Sequence, residues 1–302
     1  NNFSVQLRKS YTDAGSIRFN GGYDLDTETG NVQFQSVGIN RHLFGALLDS
    51  RIQTERLGEA ELKLEGQLDL NRNRVTRVEG KIGVSQLSYL LDDGEATTPF
   101  GIEVAGEAEI SAEWLKVGEG SVQLTKMVRG DNLVKFEAEV PLSSNGNQNG
   151  AIKVVGDSVD LSGFWNWYQW IRTEPNEPAL VIERDDAGSF DSASEESENS
   201  GVVEVDLALD EFYLLDLEVR DLALKSTHGK GLFIIDGVTA EVNDGSIEGR
   251  VAASQKGGAT DVSVDLSVSK LPIHHILSIL AVPDREPMSG ELTAQVLLDG
   301  RI

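Results

Sequence analysis

Val203-Glu204-Val205-Asp206-Leu207-Ala208-Leu209-Asp210 sets apolar residues at 203, 205, 207 and 209 against Glu204, Asp206 and Asp210. A period of two puts all the apolar side chains on one face of an extended strand and the acids on the other. The same alternation recurs in Leu215/Leu217/Val219, in Val238/Ala240/Val242 and in Val262/Val264/Leu266/Val268. Upstream it is carried by Val32/Phe34, Leu62/Leu64, Leu68/Leu70, Ile102/Val104 and Val134/Phe136/Ala138/Val140. Gly, Asn and Asp turn signals separate most of these runs. The expected fold is mainly β: antiparallel sheet with one dry and one wet face and a few short helices between strand repeats.

Four phrases break the alternation, and each places apolar residues at helical spacing after a polar or capping residue. They are Gly38 to Leu48, Gly83 to Leu91, Ser158 to Trp165 and Val268 to Leu277. After the first and last, Gly58-Glu59-Ala60-Glu61-Leu62 and Gly290-Glu291-Leu292-Thr293-Ala294 lead back into alternation, so a degenerate repeat of strands, short helix and returning strand is expected. Residues 183 to 201 hold almost no apolar mass and cannot offset their ordering entropy. With Pro175 and Pro178 just before them, they divide the chain into a β-rich repeat region (1–174), an acidic flexible linker or loop (175–201) and a C-terminal β region (202–302). One continuous structure across that linker is the expectation.

Fifty acidic against 26 basic residues give a formal charge of -24, which repels nucleic-acid phosphates and anionic membrane surfaces. No nucleic-acid partner is expected. Cysteine is absent, so disulfides, thiolate metal sites and thiol nucleophiles are excluded. The histidines, His42, His228, His274 and His275, lack any spacing that aims two nitrogens at one metal. Asp24, Asp26 and Glu28 before Gly30 have the glycine one place late for a calcium loop and lack its closing Glu, so a hairpin turn is expected. No Gly-x-Ser-x-Gly elbow or phosphate loop occurs, and carboxylates are too evenly spread to single out an acid and a base. The reading is non-enzymatic, with no metal and no cofactor. The alternating N-terminus and the strand pattern that stops at Gly300 suggest an excised fragment.

Phe164-Trp165-Asn166-Trp167-Tyr168-Gln169-Trp170-Ile171 gathers three of the four tryptophans. Trp165, Trp167 and Trp170 are either interfacial aromatics at lipid headgroup depth or rings that cover the open end of a sheet. The absence of flanking basic residues on a polar face favours the cover.

Five segments in order resemble the C-terminal region of the AsmA-like family, which includes TamB. They are Leu217-Glu218-Val219-Arg220-Asp221-Leu222, Gly231-Leu232-Phe233-Ile234-Ile235, Ala240 to Gly249, Leu266 to Leu277, and Met288-Ser289-Gly290-Glu291-Leu292-Thr293-Ala294. The usual Tyr-Gly-Gly is Asn243-Asp244-Gly245 here. The resemblance implies a Gram-negative protein with its body in the periplasm and an inner-membrane anchor outside this sequence. It also implies envelope protein partners and a long, strongly curved, groove-like antiparallel sheet with an apolar interior that conducts phospholipid or another acyl lipid between inner and outer membranes. Val203, Val205, Leu207, Leu215, Leu217, Val219, Leu232, Ile234, Val264 and Leu266 would line that groove.

Many one-faced strands with few helices leave apolar surface to be covered. Either sheet packs on sheet, giving a structural or adhesive envelope module with a closed β-sandwich core, or lipid fills the space. Exposing an acyl chain of roughly sixteen carbons to water costs on the order of a dozen kcal/mol, which a shielded groove removes without any catalytic residue.

Overall fold

A computed structural model describes residues 2–9, 12–42, 56–72, 74–91, 94–142, 148–172, 201–229, 231–256, 259–273 and 290–301. In chain order the strands are β1 (Asn2–Lys9), β2 (Thr12–Asp24), β3 (Thr29–Val37), β4 (Ile39–Asn40), β5 (Glu61–Asn71), β6 (Arg74–Leu87), β7 (Phe100–Ile110) and β8 (Trp114–Thr125). There follow β9 (Leu133–Pro141), β10 (Gly150–Asp160), helix α1 (Ser162–Arg172), β11 (Val203–Leu214), β12 (Leu217–Gly229), β13 (Leu232–Val242), β14 (Gly245–Lys256), β15 (Ala259–Pro272) and β16 (Glu291–Arg301). All belong to a single sheet whose strands lie in sequence order, with the two-residue β4 set beside β5. The sheet is open, with β1 and β16 as its edges.

Every strand pair is antiparallel except β10 with β11, which run parallel from Gly150↔Val203 to Asp160↔Tyr213. A parallel pair needs a crossover in place of a hairpin, and helix α1 begins that crossover. The sheet is therefore continuous through both sides of the expected linker, most of which lies outside the described residues.

Register carries the alternation across the whole sheet. One row of mutually paired positions runs Phe3, Phe19, Phe34, Gly66, Gly80, Gly106, Gly120, Phe136, Val154, Leu207, Leu224, Val238, Gly249, Leu266, Val296, one residue from each strand except β4 and none of them polar. At about 4.8 Å per strand it is about 65 Å long. A neighbouring row runs from Val32, Leu68 and Val78 through Ala138, Ile152 and Val205 to Val251, Val264 and Leu298, interrupted only by Ser226. A one-residue slip anywhere would turn every apolar side chain beyond it to the wet face, so the pattern itself fixes register.

The repeated phrases are where sequence and structure part. Gly83 to Leu91 forms no helix, because β6 continues to Leu87 and Tyr89 and Leu90 make isolated bridges. Gln86 takes a left-handed conformation (φ 58°) inside a register shift between Val84 and Leu87. Lys270 (φ 51°) does the same inside the shift between Val268 and Leu271, and Gly38 (φ 64°) and Lys126 (φ 62°) are left-handed directly after β3 and β8. Each reverses the pleat phase, and the residue after it turns inward: Ile39, Leu87 and Leu271 are buried, and Met127 packs on two core clusters. The repeat is thus a bulge, which two apolar residues three apart imitate as a helical turn. Val268 to Pro272 is strand by the same device, with 274–289 outside the described residues. In the third phrase Val159 and Asp160 end β10 and the helix starts at Ser162. In the first only 41–42 are described as helical.

Candidate functional site: an open apolar sheet face

Among the described residues no second sheet covers the apolar face. Three small clusters are buried, and all sit towards one end of the strands. Leu57, Ala60, Leu87, Phe100 and Trp167 form the first; Leu124, Val159 and Leu209 the second; Val219, Ala240, Val242 and Leu271 the third. Elsewhere the rows are only half-buried, and Ile82 (53% exposed) and Val104 (39%), paired with each other in mid-sheet, stand open.

The glycines of the central row shape this face. The Phe136 ring lies over Gly120 and the Phe34 ring reaches over Gly66, so a Cβ at either position would collide with aromatic carbons. The ring supplies the apolar contact the glycine lacks. Only backbone lies close to a Cβ placed at Gly80 or Gly106.

Helix α1 closes one end. Trp167 is buried edge-on to Phe100 (centroids 6.4 Å, 77°) and tilted against Phe164 (5.8 Å). It therefore covers the sheet end, while Trp165 beside it is half-buried and the Trp170 side chain lies outside the described residues. The junction of β10 and α1 is held by a polar clamp. The Arg129 guanidinium donates to Asp160 Oδ2 (3.3 Å), Ser162 Oγ (2.9 Å) and the Leu215 carbonyl (2.7 Å), and stacks on Tyr213 (4.5 Å). Asp160 Oδ1 accepts from the Ser162 amide, and the Asn132 side-chain Oδ1 accepts from the Asp160 amide. The hydrogen bond from the Tyr213 hydroxyl to Glu211 holds the tyrosine above its ordinary pKa.

Of the residues expected to line a groove, Val203, Val205, Leu207, Val264 and Leu266 occupy the apolar rows, and Leu217 and Val219 the buried end. Leu232 and Ile234 do not share that face. A register shift between Ile235 and Val238 turns the phase, so that Phe233 (opposite His228) and Ile235 (opposite Ser226) carry the rows instead. Leu215 is on no strand. It sits at φ 57° in the β11–β12 turn, where its amide donates to Ser162 and its carbonyl accepts from Arg129. Sequence reasoning confined the lining to 203–266, whereas the rows run on through Phe34, Ile82, Val104, Phe136 and Val154 to Val296.

The opposite face carries cross-strand ion pairs, Arg77 to Glu107, Lys81 to Glu103 and Lys116 to Glu139, each at 2.7 Å. These partners, through the hydrogen bond first, raise the Arg77 and Lys81 pKa values. Exposed pairs add little stability, yet they mark this face as wet. Two cavities, of about 1120 and 610 Å³, open among polar-face positions such as Gln35, Glu65 and Lys81. Asp24 Oδ1 accepts from the Asp26 and Thr27 amides in the β2–β3 hairpin. No group of three potential metal ligands occurs among the described residues, and no helix there is long and apolar enough to cross a membrane. Comparison with protein-family models, curated proteins and solved structures finds no match.

Proposed function

We propose that this chain shields the acyl chains of phospholipid along its apolar sheet face, as the periplasmic part of an AsmA-like envelope protein tethered to the inner membrane. The observation that supports this reading is the row of fifteen non-polar positions across fifteen strands, with no second sheet over it among the described residues. A surface of that size exposed to water would drive association or aggregation; an acyl chain laid along the row is a cover of matching shape and length. Lateral sliding needs no catalytic group, since no strand places a polar side chain in the row. A sandwich core would need a second sheet packed on the first, and the described strands form one.

Native mass spectrometry with lipid extraction, on the chain produced in the periplasm of a Gram-negative host, tests the proposal. Bound phospholipid is expected. Its loss when Asp replaces Val205, Leu217 and Val264 in a protein that keeps its β-sheet circular dichroism would support the face as the site. A folded chain that is lipid-free in its unsubstituted form would overturn it.

A further inference from the structure

We propose that the polar face of β2–β8 is a binding trough for a neutral oligosaccharide chain, on the opposite side of the sheet from the apolar rows and independent of what those rows hold. Three cavities adjoin on this face. The cavity of about 1120 Å³ takes its side chains from the two polar rows that flank Phe34, Gly66 and Gly80, one through Gln35, Glu65 and Lys81 and the other through Gln33, Gln67 and Glu79. The cavity of about 610 Å³ shares Gln35, Glu65 and Lys81 with it. A third, of about 410 Å³, starts two residues further along the same strands, with Asp69 beyond Gln67 and Glu109 beyond Glu107. On β5 the polar positions of the three run from Glu61 to Asp69, so at about 3.4 Å per residue the trough is about 27 Å long.

The occupant follows from what the lining offers. Ligand pockets are mostly lined by apolar side chains with a few polar ones among them; a trough lined by amides and ion pairs instead calls for a ligand that hydrogen-bonds along its whole length. The cations of its β6–β8 side are already matched, Arg77 by Glu107, Lys81 by Glu103 and Lys116 by Glu139, each at 2.7 Å, so an anionic ligand would have to displace a carboxylate. The chain's charge of -24 repels such a ligand as well. The β2–β3 side is neutral and open. Asn20, Gln33 and Gln35 are exposed there, Asn20 directly opposite Gln33, and no side-chain amide of the three bonds to a described group. Each amide carries donors and an acceptor together, which is the pairing a sugar hydroxyl needs. At the far end the half-buried Trp114, with Lys116 over its ring at 5.6 Å, lines the third cavity beside Asp69 and Glu109. Its ring is a flat apolar surface with a polar edge, suited to the C–H face of a pyranose. A polypeptide fits less well, because peptides are held at sheet edges, in apolar grooves or by arginine clusters. This trough lies in the middle of a sheet whose strands are hydrogen-bonded on both sides.

An array of neutral hexasaccharides that includes cellohexaose, chitohexaose and maltohexaose, probed with the whole chain and followed by calorimetry on the best of them, tests the proposal. Binding with a dissociation constant of roughly 10 μM to 1 mM is expected. Gln33→Ala combined with Gln35→Ala removes two exposed side chains that hold nothing else in place, and it should weaken binding about tenfold with the thermal melt unchanged. Trp114→Ala should cost about as much. Leu207→Lys, on the opposite face, should leave sugar binding as it was, so a failure of the lipid reading and a failure of this one are read separately. No binding to any neutral hexasaccharide at about 5 mM, far above the expected range, overturns the proposal. So does binding that the Gln33 and Gln35 double variant leaves unchanged, or tighter binding of hexalysine than of every sugar on the array.

Discussion

Leu207 occupies the middle of the central row, paired with Val154 on one side and Leu224 on the other, and is half-buried. If an acyl chain lies along this row, it crosses one strand every 4.8 Å or so, and roughly four methylenes occupy each crossing. Leu207→Lys would put an ammonium group where those methylenes sit. Losing about four contacts at about 0.8 kcal/mol each is about 3 kcal/mol, on the order of a hundredfold in affinity. The fold should survive, because a half-buried leucine contributes only about 1 kcal/mol and the lysine stem can lie along the apolar surface with its head in water. Ala208, exposed on the opposite face and paired with Val155 and Ala223, supplies the control. Displacement of a fluorescent fatty acid, with a thermal melt in parallel, reads both quantities. Binding unchanged in Leu207→Lys, or weakened equally by Ala208→Lys, would refute the placement of lipid on this row.

Gly120→Ala should destabilise by about 1–3 kcal/mol through overpacking against the Phe136 ring, whereas Gly83→Ala, whose Cβ meets only ordinary contacts at 3.6 Å or more, should be within about 0.5 kcal/mol of neutral; urea titrations of both check the contrast. Asp160→Ala removes a carboxylate whose side chain is 3% exposed and strips Arg129 of its acidic partner, so a loss of about 3 kcal/mol is expected in chemical denaturation, with Asp160→Asn losing about half as much because an acceptor for Ser162 remains. The Asp24 carboxyl, held below its usual 3.8 by the Asp26 and Thr27 amides, should titrate by NMR at lower pH than an unstructured aspartate. Since its folded pKa is the lower one, its contribution to stability is present above the unfolded pKa and is lost as pH falls through the folded value; Asp24→Ala should flatten that part of the acid limb.

Alternation was a sufficient guide wherever strands are regular. Val203 to Leu209 and Val262 to Val268 lie on the face their period assigns them, because on a half-buried sheet a side chain's position depends only on parity. Parity fails at bulges, and bulges leave a weak mark in sequence. Asp236 and Gly237 shift β13 by one, which moved Leu232 and Ile234 to the opposite face and brought in Phe233 and Ile235; both pairs look equally apolar in the chain. Gln86 and Lys270 bend the strand at φ values glycine would announce but these residues conceal. The recurring Val-Ser-x-Leu of Val84 to Leu87 and Val268 to Leu271 was legible as a repeat and illegible as a bulge, since one extra residue in a strand reproduces the spacing of a helical turn. Cross-strand continuity lay further out of reach. The row from Phe3 to Val296 exists only because fourteen separate registers agree, and a period within one strand says nothing about its phase against the next. That agreement among registers is also the physical content of the proposed site: a row that missed one strand would leave a polar step for an acyl chain to cross, and none of the fifteen positions is such a step.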